Sequence, residues 1–198
     1  MGNTCFMNSS LQCLSATIPL TDYFLGYDYK REINHDNPLG TGHGQLATAY
    51  ANMLSNLWSG KSLSIKPSKF KKQLGEFAPQ FQGYQQHDAQ ELLAFMLDGI
   101  HEDLNRVKQK PYIEDKDCTG ENDEQDAMEA WKNYLLRNKS IVVDIFQGQL
   151  KSRLTCLVCG HINVRFEPFM YLSLPIGPKC RSVPDCMKLF LAPEILKG

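Results

Sequence analysis

The chain has 198 residues, 42% of them hydrophobic, and carries 21 basic and 22 acidic side chains for a formal charge of −1. That length supports one domain with a substantial core, or two small ones. The balanced charge gives no electrostatic case for nucleic acid as a partner, and no apolar run approaches the ~20 residues of a membrane span. The amino terminus lacks the basic start and apolar centre of an export signal. Met1-Gly2 begins like a myristoylation site, but Phe6 stands where that motif needs serine or threonine. Seven cysteines, an odd number and widely scattered, do not read as a secreted disulfide framework. A reducing compartment, cytoplasm or nucleus, is the expectation.

In chain order, Asn3 and Thr4 are good N-cap residues, and Met7, Leu11 and Leu14 recur at helical spacing. A helix should therefore begin at about Cys5 and end near Ser15, ahead of Pro19, with Gly2 permitting a tight backbone path before it. Leu20 to Tyr29, rich in apolar and aromatic residues, reads as short irregular structure. Asn34 to Gly44 holds Pro38, three glycines and two histidines and reads as a loop. Gln45 to Trp58 is an amphipathic helix with Leu46, Tyr50, Met53, Leu57 and Trp58 on its stripe, closed by Gly60. A short helix follows from Pro67 to Gly75.

Asp88 to Leu104 has the strongest helical pattern, with Leu92, Leu93, Phe95, Met96, Ile100 and Leu104 on its buried face. Asp115 to Asp126 is acidic and reads as a surface loop, and Ala127 to Arg137 resumes helix. The period then changes from helical to alternating. Leu150 to Cys156 and Ile162 to Phe166 form a β-hairpin tipped by Cys156-Leu157-Val158-Cys159-Gly160. Tyr171 to Ile176 alternates like a further strand, and Val183 to Phe190 looks helical. Helices first and strands later predict an α+β chain.

Three segments could carry chemistry. Cys5 falls where a loop becomes a helix, where unpaired N–H groups and the dipole favour thiolate; a cysteine so placed is either a nucleophile or one more small buried apolar residue. Asp88 and Glu91 lie three apart at a helix start, so they share a face. They either receive a basic ligand or simply cap and charge the helix end. Cys156-x-x-Cys159 in a hairpin turn offers two thiolates to one side of a tetrahedral zinc. The alternative, redox chemistry, calls for the first cysteine at a helix start after a strand. Cys180 and Cys186 are too widely spaced to complete the zinc set as a matching pair.

Taken together, these segments resemble the ubiquitin-specific protease family of deubiquitinating enzymes. Gly2-Asn3-Thr4-Cys5-Phe6-Met7-Asn8-Ser9 is similar to the family's cysteine box, and Tyr84-Gln85-Gln86-His87-Asp88-Ala89-Gln90-Glu91-Leu92-Leu93 to its second box. Phe146-Gln147-Gly148 through Cys156-x-x-Cys159 to Leu174-Pro175 is similar to its zinc-tipped fingers hairpin and the strand beyond. Asp36 to Gly40 and Ala89 to Arg106 resemble the branch that often carries DUSP and ubiquitin-like domains.

The resemblance implies a papain-like hand. It assigns 1–146 to a helical thumb and 147–198 to the first fingers hairpin and the start of the palm. It implies that Cys5 is a nucleophile attacking the carboxyl-terminal glycine of ubiquitin. Asp88 would meet arginine in the ubiquitin tail, with Gln90 and Glu91 lining the same channel. Cys156 and Cys159 would supply half of a structural zinc site. Ubiquitin and ubiquitinated proteins are the implied partners. The family's Gly-His-Tyr segment has no counterpart here: His35, His43, His87, His101 and His161 all lack that context, and none is assigned as the base. The second Cys-x-x-Cys and the oxyanion asparagine five residues before the nucleophile are missing too. The chain therefore reads as the amino-terminal half of such a domain, without appreciable turnover alone, or else as a ubiquitin binder.

Overall fold

The computed structural model describes residues 2–114 and 116–196. They form two compact units divided at Pro168 and Phe169. The first unit is built on helices α1 (Cys5–Ser15), α2 (Ile18–Leu25), α3 (Tyr29–Glu32), α4 (Gln45–Trp58), α5 (Ser68–Phe77), α6 (Ala89–Asp103), α7 (Asp123–Leu135) and α8 (Ile141–Phe146). A 3-10 turn at Pro79–Phe81 joins α5 to the segment before α6. Strands β1 (Gly148–Thr155) and β2 (Ile162–Phe169) pair antiparallel. The second unit holds α9 (Val183–Phe190). The α+β class expected from the sequence is the class observed.

The core sits among α1, α2, α4, α5 and α6. Tyr50 on α4 is its centre, fully buried, with the Phe24 ring edge-on at 4.9 Å and the Phe70 ring at 6.1 Å. Leu46, Leu92, Met96 and Ile100 close around it, all at 0% exposure. Burying each such side chain contributes about 1.5–3 kcal/mol. Gly99 lets α6 approach closely: a Cβ there would lie 2.7 Å from Leu46 Cδ2 and 2.8 Å from the Phe77 ring.

Several sequence expectations need correcting. Ile18–Leu25 is helix rather than irregular structure. Pro19 lies in the first turn of α2, where its fixed φ suits a helix and no N–H is needed. It therefore starts a helix as well as ending the one before. Tyr29–Glu32 is also helical, α5 runs past Gly75 to Phe77, and α7 begins at Asp123, inside the expected acidic loop; position 115 of that loop lies outside the described residues. Trp58 and Phe95, placed on buried faces by spacing, are 51% and 38% exposed. Trp58 nevertheless anchors its Nε1 on Ser15 Oγ at 2.9 Å. Tyr171 to Ile176 forms no strand. Its alternation is genuine, but a strand exists only with a ladder partner, and among the described residues this segment has none.

Candidate active site

Cys5 is the first residue of α1, as the capping residues suggested. The sharp approach is made by Asn3, in the left-handed region at φ 48°, and not by Gly2. Asparagine tolerates that conformation better than most residues. Thr4 is the N-cap, with no side-chain bond to the helix amides. Cys5 is exposed, which removes the reading of a buried apolar filler.

Contacts at 79 and 81 residues' separation join α1 and the turn before it to the start of α6 and the segment ahead of it. Asn3 Nδ2 donates to the Tyr84 carbonyl at 3.0 Å. Gln86 Nε2 donates to Cys5 Sγ at 3.4 Å, and the thiol reaches Gln86 Oε1 at 3.5 Å. Buried Ser10 donates to the carbonyls of Phe6 at 2.9 Å and Ala89 at 3.2 Å. Beneath them Phe6 packs on the rings of Phe81 and His87, with centroids at 6.3 and 5.4 Å. From the other side Lys71 Nζ donates to the Gly83 carbonyl at 2.6 Å and lies 4.9 Å from the centre of the Tyr84 ring. The segment before α6 is thus pinned to the helix that bears the cysteine.

Asp88 caps α6. Its Oδ1 accepts from the Gln90 amide at 2.6 Å and the Glu91 amide at 3.3 Å. The side chains of Asp88, Gln90 and Glu91 are exposed at this helix start, so capping leaves the second carboxylate oxygen open to a ligand. Gln86 and Asn3 are the residues that sequence reading passed over as site members. Their signal is a contact between distant segments, invisible to local spacing.

No histidine is hydrogen-bonded to Cys5 among the described residues. His87 is held in its aromatic cluster. His101 is buried, with Nδ1 2.8 Å from Ser140 Oγ and Nε2 3.8 Å from Glu102. Burial pushes its pKa below the usual imidazole value, against the pull of Glu102. It is a satisfied structural imidazole.

Cys156 and Cys159 are exposed at the hairpin tip. The Cys156 amide bonds the His161 carbonyl at 2.8 Å, and Gly160, at φ 71°, turns the chain between the strands. The amides of Cys159 and Val158, then the Cys159 thiol, hold the Cys156 thiol below its ordinary range. That donor chemistry fits one side of a tetrahedral zinc site. Among the described residues no set of three His, Cys, Asp or Glu side chains gathers around a single point.

A family model described as ubiquitin carboxyl-terminal hydrolase matches residues 1–196. Ubiquitin carboxyl-terminal hydrolase 4 of Bos taurus is 57% identical over 193 residues, 98% of this chain and 20% of that protein. Ubiquitin carboxyl-terminal hydrolase 15 of Homo sapiens is 58% identical over 179 residues, 90% of this chain and 18% of its own length. The chain thus spans about a fifth of these relatives. In the structure of the SAGA Ubp8/Sgf11/Sus1/Sgf73 DUB module bound to ubiquitin aldehyde, one chain matches all of this one and 38% of itself, with a TM-score of 0.68 at 22% identity. That likeness shows the fold alone. With a match across nearly its whole length and relatives more than half identical, the chain belongs to the ubiquitin carboxyl-terminal hydrolase family, the ubiquitin-specific proteases.

Proposed function

We propose that the chain is the amino-terminal part of a thiol deubiquitinase domain that cleaves isopeptide or peptide bonds at the carboxyl-terminal glycine of ubiquitin. Residues 1–146 serve as the helical thumb, and 147–198 as the first fingers hairpin and the start of the palm. Cys5 is the nucleophile. Its sulfur attacks the glycine carbonyl carbon, the C–N bond breaks, and the amine leaves with a proton. Water then attacks the thioester carbonyl, releasing the ubiquitin carboxylate and restoring the thiol. Gln86 orients the sulfur. Asp88, Gln90 and Glu91 receive the ubiquitin tail, Asp88 through a charge-assisted pair with arginine. Cys156 and Cys159 hold a zinc that stiffens the hairpin and takes no part in the chemistry.

The observation that carries this reading is the exposed Cys5 at a helix start, tied through Gln86 to the segment that ends in Asp88. It supports reading Cys5 as a nucleophile beside an acidic surface suited to a basic peptide tail. Seven free cysteines are consistent with a cytoplasmic or nuclear setting, and among the described residues no helix is long and apolar enough to cross a membrane.

The test is ubiquitin carrying an electrophile in place of its terminal carboxylate. Peptide mass spectrometry should find the adduct on Cys5 and none on Cys13, which is exposed too. Labelling of both cysteines at equal rates would remove the proposal.

A second reading has its own observation, the absence among the described residues of an imidazole bonded to Cys5. On that reading the chain by itself is a ubiquitin-binding piece without turnover. Hydrolysis of a ubiquitin–fluorophore by this chain, abolished in Cys5→Ala, would exclude it.

A further inference from the structure

Charge is balanced over the chain but not along it. From Asn37 to Gly75 there is no aspartate or glutamate, while Lys61, Lys66, Lys69, Lys71 and Lys72 fall within that stretch. The same stretch builds an open groove of about 1170 Å³ between the outer face of α4 and the segment leading into α5. Lys61, Lys66, Lys69 and Lys72 line it, and all four are exposed. The ion pair they make among the described residues is Lys72 with Glu76, at 3.7 Å and open to solvent. Such a pair contributes little, so the groove keeps most of its positive charge.

The lining opposite the lysines has a different character. Asn52 and Asn56 on α4 and Gln73 on α5 present amides, which donate to and accept from a polypeptide backbone. Buried Met53 and Phe70 form an apolar floor. Among the described residues no arginine lines the groove, and of its two rings Phe70 is 1% exposed and only the His43 imidazole is open to solvent. Single-stranded nucleic acid is bound through successive exposed rings that stack on bases, and this groove offers the single imidazole of His43.

We propose that the groove is a docking site for an acidic, extended polypeptide segment of a partner. The carboxylates of the segment meet the lysine rim, and its backbone meets the Asn and Gln amides. Cys5 does not line the groove, so the site is separate from the one assigned to the ubiquitin tail. It would let this protein hold a substrate or an adaptor by an acidic tract while the thiol chemistry proceeds elsewhere.

The probe is a short fluorescein-labelled peptide alternating glutamate with alanine, titrated against the whole chain by anisotropy at low ionic strength. Saturable binding is expected. It should weaken by about tenfold or more in Lys66→Glu/Lys69→Glu/Lys72→Glu and fall as salt screens the charges. These side chains are exposed, so circular dichroism should be unchanged. A second variant, Asn52→Asp/Asn56→Asp, leaves every lysine in place and should also weaken binding. Affinity equal to the parent's in either variant, or undiminished affinity for a peptide with glutamine in place of glutamate, would overturn the proposal. So would tighter binding of a single-stranded oligonucleotide of the same charge. Self-association of the chain that disappears in the lysine variant would reassign the groove to a second copy.

Discussion

Asp88 has two jobs on this reading, and substitution can separate them. As an N-cap, its Oδ1 accepts from the Gln90 and Glu91 amides at 2.6 and 3.3 Å. Asp88→Ala removes that acceptor and should cost about 1 kcal/mol of stability, a fall in melting temperature of about 2–4 °C for a chain of this size. Asp88→Ser keeps a capping oxygen and gives up only the charge at the helix end, a few tenths of a kcal/mol. As a ligand for arginine, the carboxylate supplies a charge-assisted bond of about 1.5–3 kcal/mol, so both variants should lose about ten- to hundredfold in ubiquitin affinity. The two properties therefore part company in Asp88→Ser: stability near that of the parent, binding near that of Asp88→Ala. Urea unfolding followed by circular dichroism reads the first, and calorimetric titration with ubiquitin reads the second. If Asp88→Ser binds ubiquitin as the parent chain does, the carboxylate is a cap and nothing more.

Asp103 should be a larger stability determinant than any site residue. It is fully buried and accepts from the Thr41 amide at 2.7 Å, the Thr41 hydroxyl at 2.7 Å and the Ala47 amide at 3.0 Å. Asp103→Ala strands these donors and should cost about 2–5 kcal/mol; a shift in urea midpoint worth less than about 1 kcal/mol would contradict this account. Acid should act through His101, which faces Ser140, Asn138, Glu102, Asp98 and Lys110. Its pKa is lowered in the fold by burial, so the unfolded chain binds the proton more readily. Its stabilising contribution is complete above about pH 6.5 and is lost as pH falls through the folded value. Urea midpoints should therefore drop in this window, less steeply in His101→Gln; identical slopes would clear His101 of the effect. At the hairpin tip, cobalt titration should give thiolate-to-metal absorption that disappears in Cys156→Ser and in Cys159→Ser, with the helical signal intact. Absorption that survives both changes would place the metal elsewhere.

Local chemistry made much of the chain legible. Asp88 before a run of spaced apolar residues announced both α6 and its cap, because an N-cap is a short-range event between a side chain and amides two and three residues on. Cys5 at the start of α1 was readable for the same reason. Pro19 misled because proline suits the end of one helix and the first turn of the next equally well, and only packing decides. Tyr171 to Ile176 misled because alternation describes a strand's faces and not its partner. Asp103 falls on a helix and looks like any surface charge; its role comes from Thr41 and Ala47, 62 and 56 residues away.

The candidate site has the same division. Each half, the cysteine helix and the segment ending at Asp88, is written in its own neighbourhood, but their meeting is not. That meeting rests on a few bonds spanning about eighty residues: Asn3 to Tyr84, Cys5 to Gln86 and Ser10 to Ala89. Spacing along the chain carries no trace of such bonds, since the intervening helices could be longer or shorter without altering either motif. What selects them is the shared core, where Phe6, Phe81 and His87 pack ring against ring beneath the site. Cys5 and Asp88 are therefore held in register by a ring cluster beneath them, and loosening that cluster should disturb the site before it unfolds the protein.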